Sequence, residues 1–245
     1  MAMKHLLLPF LMLFAAPSIA HAQKHVYDDL LVLYVDEEYE KCIAKAERYT
    51  DKEDTRRDAL PYLYQSMCYH EMSKLEKYTD QHEYRFADRN ALKYAALYRK
   101  KDKKNEHVQQ FEDYWQELNT YAMGKGIMHY EMGDFSKARR IFDRMVVYMP
   151  ENAGAWRMRA LCQERMNLKR DAIESRKNFD QAYAAIGDPA ELPTDQRRLL
   201  RQALILEAEH LLANGRKAEA KELMTLGEDS FMGNAEFKAL LEEVN

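Results

Sequence analysis

Histidine, cysteine and methionine are the residue types in this chain whose side chains could bind a soft transition metal such as copper. The candidate ligands are His70, His129 and Cys68. Five methionines recur around them at helical spacings: Met67, Met72, Met123, Met128 and Met132. Methionines at such spacings more often fill a core than bind a metal. We therefore predict no metal and no cofactor. The alternative hypothesis is a helical ligand- or metal-binding protein with a pocket lined by His and Met.

The sequence contains none of the common catalytic signatures. It has no G-x-S-x-G elbow, no phosphate-binding P-loop, no His-Glu-x-x-His zinc motif and no Cys-x-x-Cys pair. Its acidic residues are spread along predicted helix faces, where carboxylates are usually solvated. We therefore predict that the protein is not an enzyme.

Three cysteines, Cys42, Cys68 and Cys162, lie within helical patterns. An odd number leaves at least one thiol unpaired even in an oxidising compartment. We expect buried free thiols, which pack as small apolar groups. A Cys42–Cys68 disulfide between neighbouring helices stays open, because it depends on geometry that the sequence does not give.

The N-terminal segment, 1–22, has the features of a secretory signal peptide. Lys4 precedes an apolar run from Leu6 to Phe14, and Ala20-His21-Ala22 supplies a small-x-small cleavage pattern before Gln23. The run is too short to span a bilayer, and no other segment is apolar enough to cross a membrane. The sequence thus predicts an exported protein, with the periplasm favoured over the extracellular space.

The composition limits the classes of partner. The chain has 245 residues, of which 47% are hydrophobic and 32% are charged, so it can bury a substantial core. Its formal net charge is −4. Since nucleic-acid binding needs a surplus of positive charge, we do not expect a nucleic-acid partner.

The most regular pattern in the sequence starts at Ala122 and ends at Trp156. A helix with small residues at Ala122 and Gly126 is broken at Gly133, and a second helix with one apolar face runs to Pro150. Proline ends a helix because it has no amide hydrogen. Trp156 opens the next helix, at the place in the following unit that Ala122 has in this one.

This order of small, turn and aromatic residues resembles the tetratricopeptide repeat, a helix–turn–helix unit whose period is about 34 residues. The matching positions are Gly126, Gly133, Ala138, Phe142 and Pro150 in this unit, Trp156, Ala160 and Ala172 in the next, and Gly215 and Ala220 in the last. The resemblance implies an all-α fold, a right-handed α–α superhelix of about five hairpins with a C-terminal capping helix. The implied domain covers 23–245, with repeats near 23–56, 59–92, 119–152, 153–186 and 201–234 and a helical insert over 93–118.

In this family the first helix of each hairpin lines a concave face that holds another protein. By that resemblance, the partner-binding residues are Leu63, Met67, His70, Glu71, Met123, Ile127, Tyr130, Glu131, Arg157, Leu161, Glu164 and Arg165. The outer face, including Lys137, is expected to be solvated. The sequence therefore predicts a non-catalytic scaffold in the bacterial cell envelope, which holds a protein or peptide partner within a larger complex.

Overall fold

The computed structural model describes residues 25–104 and 106–245, and these residues form α-helices joined by turns and short 3-10 segments, with no β-strand among them. The predicted all-α class is confirmed for this part of the chain. The predicted signal peptide, 1–22, lies outside the described residues. The helices are α1 Asp28–Val35, α2 Tyr39–Asp51, α3 Leu60–Lys74, α4 Glu76–Thr79, α5 Ala87–Lys101, α6 Glu112–Glu131, α7 Phe135–Tyr148, α8 Ala153–Arg165, α9 Lys169–Ala184, α10 Thr194–Ala213, α11 Lys217–Thr225, α12 Glu228–Phe231 and α13 Ala235–Val244.

The long helices pack in pairs, and each pair packs on the next. The pairs are α1 with α2, α3 with α5, α6 with α7, α8 with α9, and α10 with α11. Successive pairs touch through α2 and α3, through α5 and α7, through α7 and α8, and through α8 and α10. Helix α13 packs against α10 and α11 at the C-terminal end, where the sequence predicts a capping helix.

Four of the five pairs are joined by the same three-residue turn. Its central residue has a positive φ of 58° to 78°, in the left-handed region, and the four residues are Glu37, Gly133, Asn167 and Gly215. The next amide closes the turn on the carbonyl five residues before it, as Asp134 N–H does on His129 O at 2.8 Å. This is the Schellman helix end, for which glycine is the least strained residue. The helix break predicted at Gly133 is confirmed, and the turn at Gly215 falls at a position that matches the repeat.

The second pair departs from the predicted repeat boundaries. After α3, the chain makes only the single turn α4, and α5 rather than α4 packs along α3. The predicted border at residue 93 therefore falls inside α5, and the one at 119 falls inside α6, so the predicted insert over 93–118 does not form a separate unit among the described residues. We attribute this departure to the bulk of Tyr78, which has the place in the repeat near 59–92 that the small Ala138 has in the repeat near 119–152. Its ring is buried, at centroid distances of 6.5 Å from Tyr39 and 5.6 Å from Tyr84.

Small residues occupy the helix crossings that the repeat pattern predicts. The side chains of Ala138, Ala160, Ala172 and Ala220 are all buried. Gly126 of α6 lies directly over Phe142 of α7, since a Cβ at this glycine would come within 2.5 Å of the Phe142 ring. Pro150 and Trp156 are joined by a hydrogen bond of 2.8 Å from the indole Nε1 to the proline carbonyl.

Helix α10 contacts two earlier pairs, because it packs on α6 as well as on α8. At its N-terminal end, Asn119 Nδ2 donates a hydrogen bond of 2.8 Å to Asp195 Oδ2, and Tyr148 Oη donates one of 2.8 Å to Asn119 Oδ1. All three side chains are buried. We call this set the Asn119 clamp; it connects α6, α7 and α10 across 76 positions of sequence.

Candidate functional site

Half of the residues predicted to line a concave binding face are in the core instead. The buried ones are Leu63, Met67, His70, Met123, Tyr130 and Leu161. These side chains lie on α3, α6 and α8. Helix α3 packs against α2 and α5, α6 packs against α7 and α10, and α8 packs against α7, α9 and α10. A docked partner could not reach them, so they belong to the packing of the array rather than to its surface.

Two further predicted contacts, Arg157 and Glu164, are held in a network of ion pairs. Arg157 pairs with Glu207, which is only 1% exposed, and Arg176 pairs with Glu207 at 2.9 Å and also with Glu164. Arg216 Nη1 lies 2.8 Å from Glu164 Oε1. Burial works against ionisation of Glu164, but the hydrogen bonds from the two arginines outweigh it and lower its pKa. This arginine network therefore holds α8, α9, α10 and α11 together.

The remaining predicted contacts are only partly available. Glu71 Oε1 pairs with Lys74 at 2.9 Å, and Ile127 is half-buried against the core. The Arg165 guanidinium lies 4.3 Å from the Phe135 ring centroid, while Glu131 is exposed. Of these four, Glu131 and Arg165 are exposed and Glu71 and Ile127 are half-buried.

An acidic pocket of 490 Å³ lies between α1, α3 and α6, near Glu71. Its lining includes Tyr34 and the carboxylates of Glu71, Glu112, Asp113 and Glu117. Lys74 Nζ lies 2.5 Å from Glu117 Oε1 and 2.9 Å from Glu71 Oε1, so two of the four carboxylates share one cation.

The buried imidazole of His70 lies between aromatic rings. Its ring centroid is 5.9 Å from that of Tyr114 and 5.7 Å from that of Tyr121, both edge-on. Its Nε2 is 3.6 Å from Glu117 Oε1, which is too long for a hydrogen bond, and neither ring nitrogen has a hydrogen-bond partner among the described residues. Burial and the nearby Lys74 lower the pKa of His70, although Glu117 and Glu71 oppose them. The neutral imidazole therefore acts as a core aromatic.

His70→Phe should make the folding stability less sensitive to a fall in pH from 7 to 5. Because the pKa of His70 is lowered in the folded state, protonation favours unfolding, and stability falls as the pH drops through the ordinary value of 6.5. Uptake of one proton changes the free energy of unfolding by at most about 1.4 kcal/mol per pH unit. Phenylalanine keeps the ring packing, so urea unfolding between pH 7 and 5 should show a flatter pH dependence in the variant. The same substitution at the exposed His82 serves as the control, and equal slopes for wild type and His70→Phe would contradict this account.

The other candidate metal ligands are dispersed. His129 is partly exposed, with Nδ1 3.7 Å from Asp134 Oδ2. Met67, Met72 and Met123 are buried, whereas Met128 and Met132 are 39% and 69% exposed. Among residues 25–104 and 106–245, no three His, Cys, Asp or Glu side chains come together in a way that could hold a metal ion. The alternative of a pocket lined by His and Met stays a prediction.

The three cysteines are buried free thiols in this structure. Cys42 Sγ donates to the Leu30 carbonyl at 3.5 Å. Burial raises the pKa of Cys162 to about 12, so this thiol is not poised as a nucleophile.

A larger groove, which the sequence analysis missed, opens between α5, α6, α7 and α8. It encloses 730 Å³, and we call it the basic groove. Its lining holds seven Lys or Arg and two Asp, a formal excess of five positive charges in a chain whose net charge is −4. The cations are Arg89, Lys93, Lys125, Lys137, Arg140, Arg144 and Arg159, the carboxylates are Asp88 and Asp143, and the apolar lining comprises Leu92, Ile141, Val146, Val147 and Trp156.

Some cations of the basic groove already have partners, and some do not. Arg159 Nε donates to Asp143 at 2.7 Å, and Lys137 Nζ donates to Asp134 at 2.7 Å. Arg140 and Arg144 are exposed, and within the described chain neither has an ion-pair or hydrogen-bond partner. They stand four positions apart on α7, a spacing at which like charges repel. An anion between them would relieve this repulsion.

The sequence signal for the basic groove was present on α7. Lys137, Arg140 and Arg144 recur three and four positions apart, on the side away from Ala138 and Phe142. On a single helix such a row indicates an ordinary solvated face, and we predicted such a face for Lys137. Only the packing of α5 beside α7 turns two separate charged faces into one groove.

Comparisons with protein-family models, curated proteins and solved structures find no match to this chain. No helix in the described part of the chain combines the length and apolar character needed to cross a membrane.

Proposed function

We propose that the protein is a non-catalytic binding scaffold, built as a tetratricopeptide-like α-solenoid that winds into a right-handed superhelix. Two features support this architecture. Four of the five helix pairs share one turn geometry, and each pair rests on the next. Arrays of this kind stack similar units into extended surfaces suited to holding other proteins.

The main observation in favour of this function is the basic groove, with the unpartnered Arg140 and Arg144 at its edge. Most of the predicted inner-face residues are buried or paired. We therefore place the proposed partner site in the groove between α5 and α7 rather than on the concave face. Arginine is among the residue types that most often carry binding energy.

The proposed setting is the bacterial cell envelope, where the scaffold holds a partner within a multi-protein complex. This setting rests on the signal-peptide pattern of residues 1–22, in which Lys4, the apolar run and the Ala20-His21-Ala22 cleavage pattern together are typical of exported proteins.

Reversing the charge of the groove should remove the native partner. We expect Arg140→Glu/Arg144→Glu to reduce capture of its principal partner from envelope extracts by about tenfold or more, because opposed charges become like charges. Quantitative mass spectrometry of the captured proteins measures the change.

The matched control is Lys217→Glu/Lys221→Glu, which makes the same charge change at two exposed positions four apart on α11. It should leave capture of that partner within about twofold, because surface charges away from an interface contribute little. Both variants should melt near the wild-type temperature. Equal capture by wild type and the groove variant would refute the groove as the partner site.

A further inference from the structure

We propose that the basic groove binds an acidic amphipathic peptide segment, in which carboxylates flank apolar side chains. The proposal rests on the scaffold function given above, and it adds the chemistry of the partner.

Four of the seven cations of the groove lie in two rows. Arg89 and Lys93 stand four positions apart on α5, and Arg140 and Arg144 stand four positions apart on α7. Four helical positions correspond to about 6 Å along each axis. Carboxylates placed one helical turn apart in a peptide have the same spacing. Each arginine also presents a planar fork that can grip a carboxylate through two parallel hydrogen bonds.

The groove lining also includes apolar side chains. Ile141 and Val147 are half-buried in the groove, and Trp156 lies at its α8 side. A ligand with charge alone would leave these surfaces in water. A segment with one or two large apolar side chains would cover them, as an amphipathic helix does when it enters a groove.

The aromatic residues argue against a single-stranded nucleic acid as the occupant. Bases bind such surfaces by stacking on open aromatic faces. Here the Arg159 guanidinium lies 5.3 Å from the Trp156 ring centroid, and Lys125 Nζ lies 5.9 Å from that of Tyr121. The Tyr121 hydroxyl is itself hydrogen-bonded to Asp88 at 3.2 Å.

The spread of charge argues against a lipid headgroup. Cations extend along α7 from Lys137 to Arg144, which is about 10 Å of helix, and they face a second row on α5. A single headgroup concentrates its charge at one point, whereas a peptide can distribute several carboxylates over this length.

The test measures binding of the full chain to labelled peptides by fluorescence anisotropy. The main probe is a helical peptide of about 12 residues, or three turns, that presents Glu on both sides of a Leu stripe. One control peptide has Gln at every Glu position, and a second has Ser at every Leu position. We expect the Glu/Leu peptide to bind at least about tenfold more tightly than either control, with an affinity that falls as salt is added.

Two charge-reversal variants test whether the peptide binds in the basic groove. Arg140→Glu/Arg144→Glu should weaken the Glu/Leu peptide by about tenfold or more, whereas Lys217→Glu/Lys221→Glu should change its affinity by less than about threefold. Equal binding of the Gln/Leu peptide, or equal loss in both variants, would overturn the proposal. Tighter, groove-dependent binding of phosphatidylglycerol vesicles or of a single-stranded oligonucleotide would overturn it in favour of those ligands.

The two proposals can fail separately. If native capture depends on Arg140 and Arg144 but the Glu/Leu peptide does not bind, the groove is the partner site and the acidic-peptide assignment is wrong. If the peptide binds in the groove but native capture does not depend on these arginines, the acidic-segment assignment stands and the scaffold contact lies elsewhere.

Discussion

Glu207→Ala should lower the free energy of unfolding by about 3–5 kcal/mol, the loss expected when one member of a buried ion pair is removed. Glu207 is 1% exposed and pairs with both Arg157 and Arg176, whose side chains are 11% and 27% exposed. Without the carboxylate, two guanidinium groups would share this space with no counter-charge from Glu207. Urea unfolding followed by circular dichroism would measure the change.

The control for this prediction is Glu209→Ala, which removes an exposed carboxylate two positions further along α10. It should change stability by less than about 0.5 kcal/mol, as surface substitutions usually do. Glu207→Gln keeps the shape and loses the charge, so its effect should fall between the two. If the Glu207 and Glu209 variants unfolded at the same urea concentration, the arginine network would not be holding α8, α9 and α10 together.

Gly154→Ala should destabilise the protein by about 3 kcal/mol, at the upper end of the usual cost of overpacking. A Cβ at Gly154 would lie 2.6 Å from the backbone N of Leu200 and 2.7 Å from the backbone carbon of Leu199. Backbone atoms of a helix cannot move aside as a side-chain tip can. The single methyl group would therefore push α8 away from α10.

Gly124→Ala makes the same change within helix α6, where a Cβ would meet nothing within 4 Å. It should stabilise the protein by about 0.5–1 kcal/mol, because alanine favours a helix interior over glycine. Thermal melting of the two variants side by side should therefore give shifts of opposite sign. A downward shift for both, or none for Gly154→Ala, would show that α8 and α10 do not approach closely at this point.

Local patterns predicted the elements of this fold well where the signal was carried by residues close in sequence. The turn at Gly133 and the stops at Pro150 and Gly215 follow from backbone chemistry, and the structure confirms them. The second pair was predicted wrongly because Tyr78 has the place that Ala138 has in the regular unit, and the spacing of residues does not show that α4 ends after one turn. Gly154 carried no turn signal, so its close approach to α10 became visible only with the packing.

The candidate site was less predictable for a different reason. Inner-face residues such as Tyr130 and Arg157 were assigned by their repeat position, but burial depends on which neighbouring helix covers them. The repeat position of Arg157 predicts a surface cation, but Glu207 of α10, two helices further along the chain, pairs with it. The basic groove could not be predicted for the same reason, because its two rows come from α5 and α7, which are not consecutive helices.

The Asn119 clamp has a consequence for how the chain folds during synthesis. Most helix pairs close through turns of three residues, so they can form as soon as they leave the ribosome. The bond between Asn119 and Asp195 cannot form until a further 76 residues have been made. Until α10 has been made, the Asn119 Nδ2 amide lacks its Asp195 partner. The docking of α10 would thus come late in folding, before α11 and α13 pack on it, and it would join the separately formed hairpins into one cooperative unit.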